Sequence, residues 1–159
     1  KKKLMIKADV LITNKNWKQY IRDPNLYINR KLKKIDKKTN LFKSNIHNFT
    51  LLLSGDAEVK KLNIKFRKKN KTTDILSFPF HEREVLNKLL KKKKNKIYLG
   101  DMIINLNKIK NEKKIEIFYL NFDKIWIHGL VHLLGYRHKS NIDFSIMKKI
   151  ENKLLQSSK

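Results

Sequence analysis

Three of the five histidines in this chain fall within one segment of eleven residues, His128 to His138. His128 and His132 are four residues apart, so on a helix their imidazoles project from the same face. Gly135 follows, and glycine is typical of helix C-termini because it adopts the left-handed conformation without a Cβ clash. A turn there can return His138 to the same point. Three neutral imidazoles that converge predict a site for one divalent metal, zinc first, with a fourth position open to water.

A structural explanation of these residues is weaker. One histidine on an apolar helix is usually a hydrogen-bonded core residue, and a pair at this spacing can be coincidence. Three histidines match a metal site in ligand number and spacing, and the intervening glycine supplies the turn before the third. This combination favours metal binding. His47 and His81 have no such spacing, and we interpret them as ordinary residues.

Apolar periodicity predicts the elements that must position the histidines. The histidine helix has a continuous apolar face from Phe122 to Leu134, and Asn121 is its candidate N-cap. A final helix follows Ser140-Asn141. Two earlier helices are expected, one from Asp23-Pro24 toward Lys38 and one from the Ser54-Gly-Asp56 turn to about Lys69.

Four strands are expected between these helices, because short apolar runs end at turn residues or proline. They cover residues 4–10, 45–54, 73–79 and 97–106, the last interrupted by Gly100-Asp101, where glycine indicates a bulge or a close backbone approach. Strands that alternate with helices predict the α/β or α+β class. We expect one domain over residues 1–159, with a small central mixed sheet flanked by helices and the metal site on a helix and the turn after it.

The formal net charge is +25, from 39 basic and 14 acidic residues. Such a surface attracts polyanions, above all nucleic acid. Most of the basic residues are lysine, and asparagine and isoleucine are also abundant, which is the bias of an AT-rich genome. The charge therefore permits RNA binding without requiring it. The run Lys91 to Lys94 is predicted to be a solvated loop.

The absence of cysteine and of long apolar runs excludes some kinds of site and partner. The chain has no cysteine, which excludes disulfides and thiolate ligands and fits a cytoplasmic location. No apolar run approaches the length of a membrane span, so no membrane partner is expected.

The histidine spacing also matches the H-E-x-x-H-x-x-G-x-x-H pattern of metzincin proteases, with one exception. The glutamate that serves those proteases as general base is Gly129 here. A metalloprotease-like hydrolase stays an alternative, but it would need a base from elsewhere in the chain.

Four segments resemble the YbeY family of bacterial metal-dependent endoribonucleases. His128-Gly-Leu-Val-His-Leu-Leu-Gly-Tyr-Arg-His138 is similar to the family signature H-G-x-x-H-L-x-G-Y-D-H. Upstream, Leu62-Asn-Ile-Lys-Phe-Arg67 and Thr73-Asp-Ile-Leu-Ser-Phe-Pro79 resemble L-N-x-x-[YF]-R and T-D-V-L-S-F-P, and Leu99-Gly-Asp-Met-Ile-Ile104 resembles L-G-D-I-x-I. The similarity spans about residues 50 to 155.

The resemblance implies one zinc held by the three histidines and a functional Arg67 in the same cleft, where a guanidinium suits phosphate geometry. It implies cleavage of single-stranded RNA by a metal-activated water, in 16S rRNA 3'-end maturation and ribosome quality control, with the ribosome or its proteins as partners. Asp74 and Asp101 are candidates to orient a ligand histidine, or else to cap turns. Arg137 replaces the family's aspartate and can point outward to a phosphate. A non-catalytic ribosome-associated factor with a structural metal is the other alternative.

Overall fold

The computed structural model describes residues 4–42, 44–93, 95–111 and 113–159. In chain order these residues form β1 (Ile6–Ile12), a short 3-10 helix (Lys15–Gln19), α1 (Pro24–Lys38), β2 (Ile46–Ser54), α2 (Asp56–Arg67), β3 (Ile75–Pro79), α3 (Arg83–Lys91), β4 (Lys96–Asn105), α4 (Leu106–Ile109), α5 (Ile115–Leu133) and α6 (Asn141–Ser157).

The four strands form one mixed sheet in the order β1-β2-β4-β3. β1, β2 and β4 run parallel, with Ile6 opposite His47 and Leu51 opposite Met102. β3 runs antiparallel to β4 at the edge of the sheet, with Ser77 opposite Met102. The fold is therefore α+β with a small mixed sheet flanked by helices, as the sequence predicted.

The two faces of the sheet are covered unequally. Alternate residues of β2 point into a large core that also contains side chains of α1 and α5, including Phe49, Leu32 and Trp126. On the opposite face, α2 covers a much smaller cluster of Val59, Leu76 and Ile103. The face with the larger core is the one that supports the histidine helix.

Capping residues in the sequence correctly predicted where α1 and α6 begin. The Asp23 carboxylate accepts the N–H of Leu26, with Pro24 at the first helical position. Ser140 accepts the N–H of Asp143 at the start of α6. α2 ends at Arg67, because Lys68 takes the left-handed conformation with φ 55°.

The predicted N-cap of the histidine helix is wrong. α5 begins at Ile115 with Lys114 at its N-cap, so Asn121 is an exposed residue inside the helix. Phe118 is fully buried and packs against Trp17 at a centroid distance of 6.2 Å. This tertiary contact stabilises the extra turns, although no side chain caps them.

β4 has the predicted length of ten residues, but it begins and ends one residue earlier than predicted and continues through Gly100. Gly100 has φ +135°, and a Cβ there would lie 2.2 Å from the carbonyl oxygen of Phe78. The register with β2 shifts between Asn48 and Thr50, so the strand passes the glycine with a bulge instead of ending. The close backbone approach that glycine indicated is therefore real.

Three short elements were not predicted: the 3-10 helix, α3 and α4. α3 changes the interpretation of the lysine run, because Lys91 is its last residue, and Lys92 and Lys93 follow as exposed residues. Lys94 lies outside the described residues. No helix within the described ranges is long and apolar enough to cross a membrane.

Candidate metal centre and cleft

The last turns of α5 bring the first two histidines together. The rings of His128 and His132 are 4.5 Å apart between centroids, and their Nε2 atoms are separated by 3.1 Å. His138 returns beyond the helix end, 5.1 Å from the His132 ring. One nitrogen of each imidazole lies within 4.8 Å of those of the other two, so the three could hold one metal ion.

A glycine turn carries the third histidine back to the helix. Gly135 has φ +93°, a conformation that favours glycine, and its N–H donates to the carbonyl of His132. Arg83, the first residue of α3, holds this turn from outside. Its guanidinium lies 3.9 Å from the centroid of the Tyr136 ring and donates to the carbonyl of Leu134. The position of His138 thus depends on α3 as well as on α5.

The Nδ1 atoms of His128 and His132 each have a hydrogen-bond partner in the protein. Nδ1 of His128 lies 2.5 Å from a carboxylate oxygen of Glu151 on α6, and Nδ1 of His132 lies 2.9 Å from the carbonyl oxygen of Tyr136. Both partners are acceptors, so each Nδ1 carries a hydrogen and each Nε2 presents a lone pair. Two lone pairs that face each other at 3.1 Å require a cation or a proton between them. This donor set fits a metal ion.

Burial favours the protonation state that metal ligation needs. Desolvation, with the neighbouring His128 as a further cause, lowers the pKa of His132 below its usual value. The imidazole therefore stays neutral at physiological pH, which is the form that binds metals. His138 is exposed, so the open side of the cluster faces solvent.

The orienting residues differ from the two aspartates that the sequence suggested. Asp74 accepts a hydrogen bond from Thr73, and Asp101 accepts one from the hydroxyl of Tyr98. The structure places Glu151 against His128 instead. Periodicity predicted the helix of Glu151, but no local signal indicated that this residue meets a histidine 23 positions earlier.

The histidines open into a cavity of about 580 Å³ between β3, the start of α3 and the turn after α5. Its lining includes four cationic side chains and two carboxylates: Arg67, Arg83, Arg137, Lys139, Asp74 and Glu82. The cations outnumber the carboxylates, which suits an anionic ligand. The exposed Arg137 shares this wall with His138.

Arg67 reaches the cavity from the far side of β3. Its Nη2 donates to the carbonyl of Ser77 at 2.9 Å, and its guanidinium carbon lies 5.7 Å from the centroid of the Phe78 ring. These contacts hold the side chain across the free edge of the sheet. The structure therefore brings Arg67 and the three histidines to one cavity.

The two remaining histidines have different environments. His81 is half-buried and lines the cavity, which its isolated position in the sequence did not indicate. His47 lies in β2, where its Nδ1 contacts the carbonyl of Met5 and burial lowers its pKa. His47 takes no part in the cavity lining.

Gly129 packs directly against the sheet. A Cβ at this position would lie 2.6 Å from Sδ of Met102 and 2.7 Å from Cδ1 of Ile75. A side chain at the position of the metzincin glutamate would therefore point into the sheet and require Met102 and Ile75 to move. This packing argues against a protease mechanism with a base at that position.

Comparison with known proteins adds an independent finding. The family model described as Endoribonuclease YbeY matches residues 11–159. An Endoribonuclease YbeY of Pelagibacter ubique is 42% identical over 151 residues, covering 93% of each chain, and one of Buchnera aphidicola from Acyrthosiphon pisum is 40% identical over 146 residues, covering 87% of each. The solution structure of a Thermotoga maritima protein matches with a TM-score of 0.52 and 21% identity, covering 96% of this chain and 90% of that one, which supports the fold.

Proposed function

Since the chain belongs to the YbeY family of endoribonucleases, we propose that it cleaves single-stranded RNA with one divalent metal, zinc, held by His128, His132 and His138. The observation that carries this proposal is the convergence of three imidazoles on a cavity in whose lining cationic side chains outnumber carboxylates. When bound, the metal supplies Lewis acidity that lowers the pKa of a water molecule toward about 7, so that the water can attack a phosphodiester.

The protein residues around the cavity supply binding and charge. Arg67, anchored by Ser77, would donate to the non-bridging phosphoryl oxygens as negative charge develops on them. Arg137 and Lys139, which line the cavity beside His138, would bind adjacent phosphates. Glu151 holds the His128 ring and stabilises the tautomer with a free Nε2.

The cellular role is part of the same proposal and rests on the family resemblance. We assign the activity to one domain over residues 1–159, acting in the cytoplasm on 16S rRNA during 3'-end maturation and ribosome quality control. The ribosome or its proteins are the corresponding partners. The net charge of +25 supports association with a large RNA.

The central test combines metal content with RNA cleavage. The purified protein is expected to contain one zinc per chain, to lose cleavage of single-stranded RNA on chelation and to regain it on zinc addition. His132→Ala should lose most of the metal and the activity, whereas His47→Asn, outside the cavity, should keep both. Stoichiometric zinc in His132→Ala at low free zinc would refute the ligand assignment. Full metal content without RNA cleavage would favour a structural metal in a binding factor.

Arg67 has a separate test. Arg67→Ala and Arg67→Lys should both slow cleavage, the alanine variant by on the order of 10²–10³, because lysine keeps the charge but loses the planar fork. Zinc content and thermal stability should stay near those of the parent. Parental cleavage rates in Arg67→Ala would exclude a catalytic role, and unfolding or metal loss would make Arg67 structural.

A further inference from the structure

Aromatic side chains lie beside the cleft, at the end of α2, on β3 and directly after β3. Phe66 on α2 and Phe80 after β3 are 55% and 66% exposed, and Phe78 on β3 is half-buried. His81 follows Phe80 and lines the histidine cavity. We refer to Phe66, Phe78, Phe80 and His81 as the aromatic strip.

Neighbouring rings hold the strip in place. Phe66 packs edge-on with Phe78 at 5.3 Å, and Phe80 packs edge-on with His81 at 4.9 Å and with Tyr98 at 5.6 Å. Tyr98 is itself fixed, because its hydroxyl hydrogen-bonds with Thr50 and with Asp101. The exposed rings are therefore oriented before a ligand arrives, which reduces the conformational entropy lost on binding.

Cations alternate with these rings. Nζ of Lys65 lies 5.2 Å from the centroid of the Phe66 ring, and the guanidinium carbon of Arg67 lies 5.7 Å from that of Phe78. Rings that accept stacked bases, interleaved with cations that contact phosphates, are the combination found in proteins that bind single-stranded nucleic acid. His81 belongs to both the strip and the cavity lining, and Arg67, which lies against Phe78, also lines the cavity. One bound strand can therefore contact both.

We propose that the aromatic strip is a stacking site for unpaired bases of the RNA strand whose phosphate occupies the histidine cavity. This inference rests on the proposed RNA substrate and adds where its bases bind. A base in a duplex is stacked and paired and cannot lie on Phe80 or Phe66. The strip therefore selects single-stranded RNA at a position outside the reacting centre.

The experiment measures binding of two fluorescein-labelled strands, an oligouridylate and a strand of equal length built from abasic ribose-phosphate units. Titrations with a chelator present, with intact RNA checked on a gel, separate binding from cleavage. Phe80→Ala and Phe66→Ala are the test variants, and Phe80→Trp restores a stacking surface. Phe144→Ala is the matched control, because Phe144 is 59% exposed on α6 and is not part of the aromatic strip.

Each strip variant should weaken binding of the oligouridylate by about fivefold to 150-fold, the range for loss of one stacked base. Binding of the abasic strand should not change, and Phe80→Trp and Phe144→Ala should bind like the parent. Parental affinity in both alanine variants, or equal losses on the two strands, would overturn the stacking site while the proposed function stands. A parent that does not bind the oligouridylate in these titrations and does not cleave it when zinc replaces the chelator would overturn the proposed function itself.

Discussion

At the residue scale, Glu151 carries the most consequential contact that the sequence did not reveal. Its carboxylate lies 2.5 Å from Nδ1 of His128, and the two side chains are 18% and 33% exposed. A carboxylate in this position makes the opposite ring nitrogen a stronger donor to a metal and fixes its direction. Glu151 is thus a positioning residue on a helix that contributes no ligand.

We expect Glu151→Ala to weaken zinc binding by about 10–100-fold, and Glu151→Gln by less, because glutamine still accepts the hydrogen bond without the charge. Competition with a chromophoric chelator measures the affinity directly. Glu116→Gln, an exposed change in the first turn of α5, is the matched control. Unchanged zinc affinity in Glu151→Ala would contradict the role.

The buried His47 should make the stability of the folded protein depend on pH. Burial lowers its pKa, and its Nε2 has no hydrogen-bond partner among the described residues. The unfolded chain therefore takes up a proton at this residue at higher pH than the folded chain. The contribution of neutral His47 to the free energy of unfolding is fully present above the ordinary histidine pKa of about 6.5. It is lost as the pH falls through the pKa of His47 in the folded protein.

The free energy of unfolding of the metal-free protein should therefore decrease between about pH 7.5 and pH 5. His47→Asn should reduce that decrease, since its amide can keep the bond to Met5 without titrating. Urea unfolding at the two pH values provides the comparison. The same decrease in both proteins would mean that His47 does not contribute.

At the scale of elements, the site depends on how closely α5 approaches the sheet. Gly129 lies between the two helical ligands and faces Met102, Ile75 and Ser77 of the neighbouring strands. A side chain at this position would require Met102 and Ile75 to move or the helix to shift away from the sheet. The absence of a Cβ therefore fixes the depth at which His128 and His132 sit above β3.

Gly129→Ala is expected to destabilise the protein by roughly 1–3 kcal/mol, the usual result of overpacking a core. Urea denaturation gives the value. Asn121→Ala, on the exposed face of the same helix, is the control and should change stability by less than about 0.5 kcal/mol. Unchanged stability in Gly129→Ala would show that Met102 and Ile75, or α5 itself, can make room for a methyl group without loss of stability.

At the scale of the whole molecule, charge dominates the expected interaction with RNA. The net charge of +25 is spread over many lysines, whereas Arg137 and Lys139 lie at the cavity itself. Long-range attraction and local phosphate binding should therefore be separable. Lys91, Lys92 and Lys93 are exposed and do not line the cavity.

Affinity for single-stranded RNA should fall by roughly 0.7 log units per log unit of salt for each phosphate that the protein neutralises. Replacing Lys91, Lys92 and Lys93 with serine should reduce the affinity only in part. Replacing Arg137 and Lys139 with serine should reduce the affinity and also slow cleavage. Anisotropy titrations at several salt concentrations test the slope. A slope near zero would refute electrostatic binding.

The sequence by itself determined the features that depend on neighbours along the chain. The spacing of His128, His132 and Gly135 follows from helix geometry, and Asp23 and Ser140 start their helices through bonds to residues three positions away. Apolar runs that end at turn residues or proline were sufficient for the four strands and limited the class to α/β or α+β, because burial along a strand leaves a local apolar pattern.

Only the tertiary structure decided which distant residues meet. Strand order places β3 at the sheet edge, where Arg67 can cross it. Packing of α6 on α5 brings Glu151 to His128, and the start of α3 places Arg83 on Tyr136 in the turn after α5. Packing of Phe118 on Trp17 likewise extended α5 beyond its predicted cap. These contacts join residues far apart in sequence, and their free energy comes from burial and pairing that appear only once the elements have packed.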